Sequence, residues 1–535
     1  MLILGVTHPH CLNNAAAILR DGELLAMAEE ERFARFKHAP RMAPLGAIKY
    51  CLEAAGATIE DVDRIAVGWD FHEKAEWFER FLPNVRREQE AMRRRFRPLH
   101  AVFKSHRAKV EFVDHHLAHA ASAYLFSGFD RVNVMTIDGS GGESSGVLGV
   151  AEGARFRELH RIPNDASWGN MYTMITKKLG FRPHSDEGKV MGLAAFGTPD
   201  LGRFDFIDWD AEIPELIVDK FKRYRRKLKD WETGGEPDQE QKDLAATVQH
   251  ALEQVGLRIS EWLAKQTGVK NLALAGGCAL NCSMNGFLLR QPHVEQIFVQ
   301  PVAHDAGTAL GAAAWIHARE TGERPKTVYD HLYFGPSFSN AQIEAAIKEY
   351  KLTTFKRSDD IAEDVAELLA QGQLVGWFQG RMEAGPRALG GRSMLANPGS
   401  IETKDRMNAQ VKHREGWRPF APSFLADKAK EYVTLDYPSP FMILAFEGKD
   451  GKIDEIPAAT HVDKTVRVQT VNPATNLVYH EMISAFHRKT GLPAVLNTSF
   501  NVAGQPIVCT PFDAIGTFFA CGLDKLAIGD YLIWK

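Results

Sequence analysis

His115 and His119 stand four residues apart in the run Val113-Asp114-His115-His116-Leu117-Ala118-His119-Ala120. The small and apolar residues around them favour helix, and at i,i+4 spacing two imidazoles project from one helix face and can grip a single metal ion. A zinc-protease helix would carry H-E-x-x-H, its glutamate serving as general base. His116 occupies the glutamate position here, which removes that chemistry. An isolated histidine pair is more commonly core or solvated surface, so the pair takes its meaning from the other reactive stretches.

Those stretches are acids at strand ends, glycine-rich turns and clustered arginines. Val132 to Asp138 reads as a buried strand with an acid at its C-terminal end, running into Gly139-Ser140-Gly141-Gly142-Glu143-Ser144-Ser145-Gly146. The third glycine of the dinucleotide fingerprint is missing and a strand, Val147 to Val150, follows, so the turn is not that motif. A glycine-rich turn between strands still presents backbone N–H groups to an anion, and an acid beside it suits a metal-phosphate site. Gly276 and Gly277 follow the strand Leu272 to Ala275, where glycines let backbone approach a flat ligand. Asp305 opens an alanine-rich helix, a place where an N-cap is the commoner role. Farther on, Arg381, Arg387 and Arg392 lie amid four glycines, which reads as an anion cradle rather than core. Lys412, Arg414 and Arg418 form a second basic set, and Asn497 to Asn501 a polar loop after the strand Ala494 to Leu496.

The elements that must position these groups alternate strand and helix. Leu2 to Thr7, Ala15 to Arg20 and Leu24 to Glu29 are strands, with Asp21-Gly22 as a hairpin turn between apolar runs. The loop His8 to Asn14 joins the first two strands. Glu29 to His38 reads equally as an exposed charged helix or as a functional segment. The pattern breaks at Phe334-Gly335-Pro336-Ser337, which divides the chain into domains at 1–340 and 350–535.

Length and composition set the bounds. A chain of 535 residues is too long for one ordinary core. Its 45% apolar and 25% charged content is that of a globular protein, and a net charge of -4 gives no argument for nucleic acid. The basic runs Arg86 to Arg97 and Lys220 to Lys229 carry apolar residues at helical spacing and read as solvated helix faces. The N-terminus reads as a first strand, not a signal peptide, and no apolar run is long enough to span a membrane. Six cysteines without a C-x-x-C pattern point to reduced thiols and a cytoplasmic protein.

Taken in order, nine runs resemble the NodU/TobZ-type O-carbamoyltransferase family: EEERFARFKH, DHHLAHA, TIDGSGG, DEGKVMGLAAFG, GGCALN, AHDAGTALGAA, GRMEAGPRALGGRS, KHREGWRPFAPS and NTSFN. The resemblance covers essentially the whole chain. It implies a mixed α/β protein, with an actin/sugar-kinase-like (Kae1-like) N-terminal domain followed by a YrdC-like C-terminal domain. The activity it implies is ATP-dependent transfer of a carbamoyl group from carbamoyl phosphate, through carbamoyl adenylate, to a hydroxyl of a natural product or sugar. By motif position it implies His115, His119, Asp138 and Asp305 as metal ligands, a donor set that suits iron(II), with magnesium or manganese as alternatives. It implies Lys412, Arg414 and Arg418 for carbamoyl phosphate, and Arg387, Asn497, Gly276, Gly277, Asn281 and Gly139 for the nucleotide. His10, Asn13 and Lys37 fall on the acceptor side. Family members usually carry an acid where this chain has Asn13, and an amide cannot take a proton. The general-base role therefore passes to His10, to another group or to metal-bound phosphate, and basic acceptors become less favoured than sugars or neutral scaffolds. Expected partners are carbamoyl phosphate, ATP and a small hydroxyl acceptor, without nucleic acid or membrane; a homodimer is the assembly kept open. A threonylcarbamoyl-adenylate enzyme of tRNA modification shares both domain types, but a basic RNA surface fits poorly with the net charge. A non-catalytic actin-fold nucleotide-binding protein would have little use for three arginine-rich loops.

Overall fold

Apolar runs separated by tight turns make an antiparallel meander at the N-terminus: β1 (Leu2–Val6), β2 (Ala15–Arg20) and β3 (Glu23–Glu29). Asp21 and Gly22 close its hairpin with φ of 50° and 81°, the left-handed pair that such a turn demands. β4 (Arg64–Val67) then pairs parallel with β1, and β5 (Lys109–Phe112) parallel with β4, so the sheet order is β3-β2-β1-β4-β5. The computed structural model describes residues 1–70, 97–99, 101, 109–232 and 234–535. The basic run Arg86 to Arg97 lies outside the described residues apart from Arg97. The run from Lys220 falls on the helix Val218–Lys227, which has no buried residue, as a solvated face should.

The same arrangement recurs. β6 (Arg131–Thr136), β7 (Ser144–Glu152) and β8 (Arg155–Pro163) form a second meander. After a short ribbon, β9 (Ile207–Asp208) with β10 (Glu215–Leu216), come β11 (Asn271–Ala275) and β12 (Gln296–Val299). β11 lies parallel between β6 and β12, giving β8-β7-β6-β11-β12. Two five-stranded sheets of identical order are the duplicated core of an actin/sugar-kinase-like fold. Helix His115–Tyr124 packs on helix Gly307–Thr321, and both are rich in alanine so that their backbones can approach. At Gly311 the approach admits no side chain: a Cβ would lie 1.7 Å from the Ala118 carbonyl oxygen. These elements belong to the first of two compact units, residues 1–34 and 38–329.

The second unit, residues 35–37 and 330–535, is built on an eight-stranded mixed sheet. Its strands are β13 (Phe355–Arg357), β14 (Val375–Phe378), β15 (Arg392–Ala396), β16 (Ala421–Leu425), β19 (Gln469–Val471), β20 (Ala494–Ser499), β21 (Lys525–Ile528) and β22 (Tyr531–Trp534), with β17 (Phe446–Glu447) and β18 (Thr465–Val466) as a separate ribbon. Alternation along β14 sorts side chains onto two faces. Phe378 joins a core with Leu496 and Phe518, while Val375 and Trp377 join one with Tyr479 and Phe486. The expected strand Ala494 to Leu496 runs on to Ser499, so Asn497 is a strand residue facing Leu395 and Ala421 rather than a loop residue. Its neighbours on β15 and β16 supply ladder partners that composition alone could not reveal. All six cysteines are free thiols, and no described helix is long and apolar enough to cross a membrane.

Candidate functional site

Helix His115–Tyr124 begins at Asp114, whose carboxylate accepts the Leu117 N–H at 2.9 Å and is itself held by Arg161 at 2.8 Å. The cap fixes the helix start, and the helical period places His115 and His119 on one fully buried face. His115 Nδ1 donates to the Gly68 carbonyl at 3.1 Å, and Trp69 packs on the ring with centroids 4.2 Å apart. That donation leaves the Nε2 lone pair aimed inward. Asp138, two residues past β6, accepts the Gly139 and Gly277 N–H groups on Oδ1 at 2.7 and 3.2 Å. Its Oδ2 then faces His115 Nε2 at 3.4 Å and His119 Nε2 at 3.0 Å. Asp305 is not the N-cap that its position suggested. The helix Gly307–Thr321 is capped by Ala306 without a side-chain bond, and Asp305 Oδ2 accepts the Leu12 N–H at 2.9 Å. Its Oδ1 lies 3.7 Å from His115 Nε2 and 4.0 Å from His119 Nε2.

Donor atoms of His115, His119, Asp138 and Asp305 all fall within 4.8 Å of one another, close enough for one small cation to reach all four. Neither ring nitrogen of His119 makes a hydrogen bond, although Nε2 is only 3.0 Å from a carboxylate oxygen, because the approach is off the line that such a bond needs. Buried nitrogens without partners are rare, and two imidazoles with two carboxylates are a fitting donor set for a divalent ion. Burial pushes His119 down from its ordinary value, with Asp138 pulling the other way. For His115, burial is outweighed by Asp138 and Asp305, and it stands raised. Asp138 is lowered well below the carboxylate range: burial opposes this, but the two histidines prevail.

The hairpin loop and the segment after β3 lie close by in the chain's contacts. His10 sets its ring edge against Trp69, centroids 4.9 Å apart, and its N–H donates to His8 Nδ1 at 3.1 Å. Asn14 is buried and structural, its amide donating to the Ala39 and Cys11 carbonyls at 2.9 and 3.2 Å. Asn13 instead meets His38, Oδ1 to Nδ1 at 2.8 Å. The charged stretch from Glu29 is not an exposed helix. Glu29, Glu30, Glu31 and Arg32 are buried, with Arg32 paired to Glu29 at 2.8 Å and also to Glu31. On the proposed nucleotide side, Gly276 has φ 87° and leaves no room for a Cβ, which would meet the Ile137 carbonyl oxygen at 2.4 Å. Asn281 caps the helix Cys282–Leu289 by accepting the Met284 N–H at 2.9 Å and donates to Gln249 at 2.7 Å. Both its amide groups are thus already engaged within the protein.

In the second unit, Lys412 ends a π-helix, Met407–Lys412, and its buried ammonium donates to the Ser499 carbonyl and, at 2.9 Å, to the Asn501 carbonyl. Burial, then Arg414, Arg418 and Lys37, hold it well below the ordinary lysine value. Arg414 stacks over Phe420 at 4.1 Å and donates to Asn408 at 2.7 Å. Arg418 is half-buried, with Glu415 at 3.9 Å. The arginine-rich glycine loop is only in part what its composition suggested. Arg392 is fully buried over Phe378 at 3.6 Å, and its guanidinium donates to the Gln379, Gly380, Gly391 and Pro336 carbonyls. Arg381 likewise donates to the Phe334 carbonyl. Carbonyls supply the partners that an anion would, so these two arginines hold the fold. Arg387 stays half-buried on the loop between them. Loop shape comes from Glu383, whose buried Oε1 accepts the Leu389, Gly391 and Arg392 N–H groups at 2.6, 3.2 and 3.3 Å. Asn497 donates to Ala388, Ser423 and Gln469, while its Oδ1 is buried without a partner. Residue types alone did not single out Glu383 or His38, although both lie inside the quoted motif runs.

A family profile described as Carbamoyltransferase N-terminus matches residues 2–314, and one described as Carbamoyltransferase C-terminus matches residues 366–535. The chain is 39% identical to the Nodulation protein NolNO of Sinorhizobium fredii over 98% of its own length and 79% of that protein's. It is 40% identical to the Nodulation protein NolO of Bradyrhizobium diazoefficiens over 79% of each. With the 3'-hydroxymethylcephem-O-carbamoyltransferase of Amycolatopsis lactamdurans it shares 31% identity over 65% of this chain and 64% of that one. Among solved structures, full-length HypF in its phosphate- and nucleotide-bound form covers 60% of this chain and 56% of that one, at 13% identity and a TM-score of 0.37.

Proposed function

We propose, from the premise that this chain belongs to the carbamoyltransferase family, that it moves a carbamoyl group from carbamoyl phosphate to a hydroxyl in two steps, the first of them ATP-dependent. The second unit is the activating domain and the first the transfer domain. In the first step, Lys412, Arg414 and Arg418 hold the phosphate of carbamoyl phosphate, and Arg387 and Asn497 hold the nucleotide. Burying like charges together is costly, and an anion between them relieves that cost. Carbamoyl adenylate, inorganic phosphate and pyrophosphate are the products.

In the second step the adenylate occupies the transfer domain, its phosphate against the N–H groups of the turn headed by Gly139 and its adenosine beside Gly276, Gly277 and Asn281. His115, His119, Asp138 and Asp305 would hold a divalent ion, which polarises the carbamoyl carbonyl as a Lewis acid when bound. The loop bearing His10 and Asn13 receives the acceptor; Lys37, expected on that side, belongs instead to the second unit, where its charge bears on Lys412. Asn13 carries no charge, which favours sugars and neutral scaffolds over polyamines.

The observation that carries this reading is the convergence of four donors, two from one helix and one from each of two loops, on a single point. Its test is ATP–pyrophosphate exchange with and without carbamoyl phosphate. Exchange that requires carbamoyl phosphate is expected; ADP formation in its place would make the chain a kinase.

A further inference from the structure

We propose that His38 is the general base for the acceptor hydroxyl and that Asn13 orients it, a proposal that rests on the transfer reaction described above. An amide oxygen only accepts, so the 2.8 Å contact between Asn13 Oδ1 and His38 Nδ1 places the ring proton on Nδ1. Nε2 then carries the lone pair, and it faces the hydroxyl of Ser185 at 3.4 Å. An amide orienting an imidazole whose far nitrogen faces a hydroxyl is the logic of a nucleophile–histidine–asparagine relay. An amide cannot take a proton, so Asn13 acts on the base rather than as one.

Placement and strain support the assignment. Leu12, next to Asn13, donates its N–H to Asp305, so the loop that orients His38 is anchored to a member of the four-donor cluster. His38, Asn13 and Ser185 are all half-buried and within reach of a ligand. His38 has φ 66°, and Arg35, Ala39 and Arg41 have φ of 52°, 39° and 62°. Four non-glycine residues in left-handed conformation within seven positions are a concentration of strain that the surroundings must enforce. Glu31 does so by accepting the His38 N–H, and Asn14 by holding the Ala39 carbonyl.

The step balances without a further reagent. His38 Nε2 takes the hydroxyl proton as the acceptor oxygen bonds to the carbamoyl carbon. The bond from that carbon to the phosphate oxygen breaks, AMP leaves with the electron pair, and the proton passes from His38 to solvent.

Two nucleophiles separate this role from a structural one. Hydroxylamine is unprotonated at neutral pH and needs no base, whereas glycerol does. Full-length protein supplied with ATP, carbamoyl phosphate and divalent metal is given each in turn, and hydroxyurea and carbamoylglycerol are measured. In His38→Ala the ratio of carbamoylglycerol to hydroxyurea should fall about a hundredfold. His38→Gln, which keeps a hydrogen bond to Asn13 but has no basic nitrogen, should fall equally. Asn13→Leu should lower the ratio about tenfold and Asn13→Asp should preserve it. An unchanged ratio in His38→Ala, or a ratio restored in His38→Gln, overturns the assignment. If the unaltered protein makes neither product, the transfer reading itself fails.

Discussion

In the first unit, Asp138 and Asp305 stand among His115 and His119, and each acid is braced by backbone N–H groups on its outer oxygen. In the second, Lys412, Arg414 and Arg418 stand beside one another, and Glu415 is the carboxylate nearest by charge. One cluster contains its own counter-charges and is ordered around a point; the other accumulates a single sign. Mixed donors aimed at a common point are completed by a cation, and buried cations pushed below their ordinary values are completed by an anion.

The steepest loss is expected in the four-donor cluster. Asp138→Asn keeps the side-chain shape but removes the charge, and divalent-metal affinity should fall by more than about 100-fold, beyond the usual cost of losing an outer-shell partner. Equilibrium dialysis with manganese reads it. Arg418→Ala should weaken carbamoyl phosphate by about 2 kcal/mol or more, roughly thirtyfold, because a charged phosphate contact is lost. The concentration dependence of pyrophosphate exchange measures that change.

Lys412 sharpens the comparison through pH. Its folded value lies well below 10.5, so between the two the unfolded chain binds more protons. Stability of the unliganded unit therefore rises with pH across that window, and the cost of burying the charge is fully present below it. Phosphate restores the proton, so binding should take up protons in the window and weaken as pH rises through it. Calorimetry of inorganic phosphate in buffers of different ionisation heat counts those protons, and Lys412→Met should abolish the uptake. The smallest effect is expected at Asp114→Ala, where loss of the cap costs about 1 kcal/mol of stability by denaturant titration.

What could be read from the sequence was local. The Asp21-Gly22 hairpin follows from turn chemistry, and the His115/His119 face from helical period, since both depend on neighbours within four residues. Sheet duplication was not visible, because β6 pairs with β11 across a long connection and the two halves share order rather than residues. Charge without partners misled in both directions. Arg392 and Arg381 looked like ligand groups but donate to carbonyls, and the stretch from Glu29, which read equally as exposed helix or functional segment, closes a buried ion-pair knot at Glu29 to Arg32. Asp305 looked like a cap, and only the approach of Leu12 from the first hairpin shows where its carboxylate turns. His38 was passed over because its meaning lies in Asn13 and Ser185, 25 and 147 residues away.

The central claim is that His119 belongs to a cation that serves transfer and not activation. The direct test is to follow both half-reactions in His119→Ala, as carbamoyl-phosphate-dependent pyrophosphate exchange and as carbamoyl transfer to a hydroxyl, together with bound divalent metal. Loss of metal and of transfer with exchange largely intact is the expected result; equal loss of both half-reactions, or full transfer without the metal, would contradict the account.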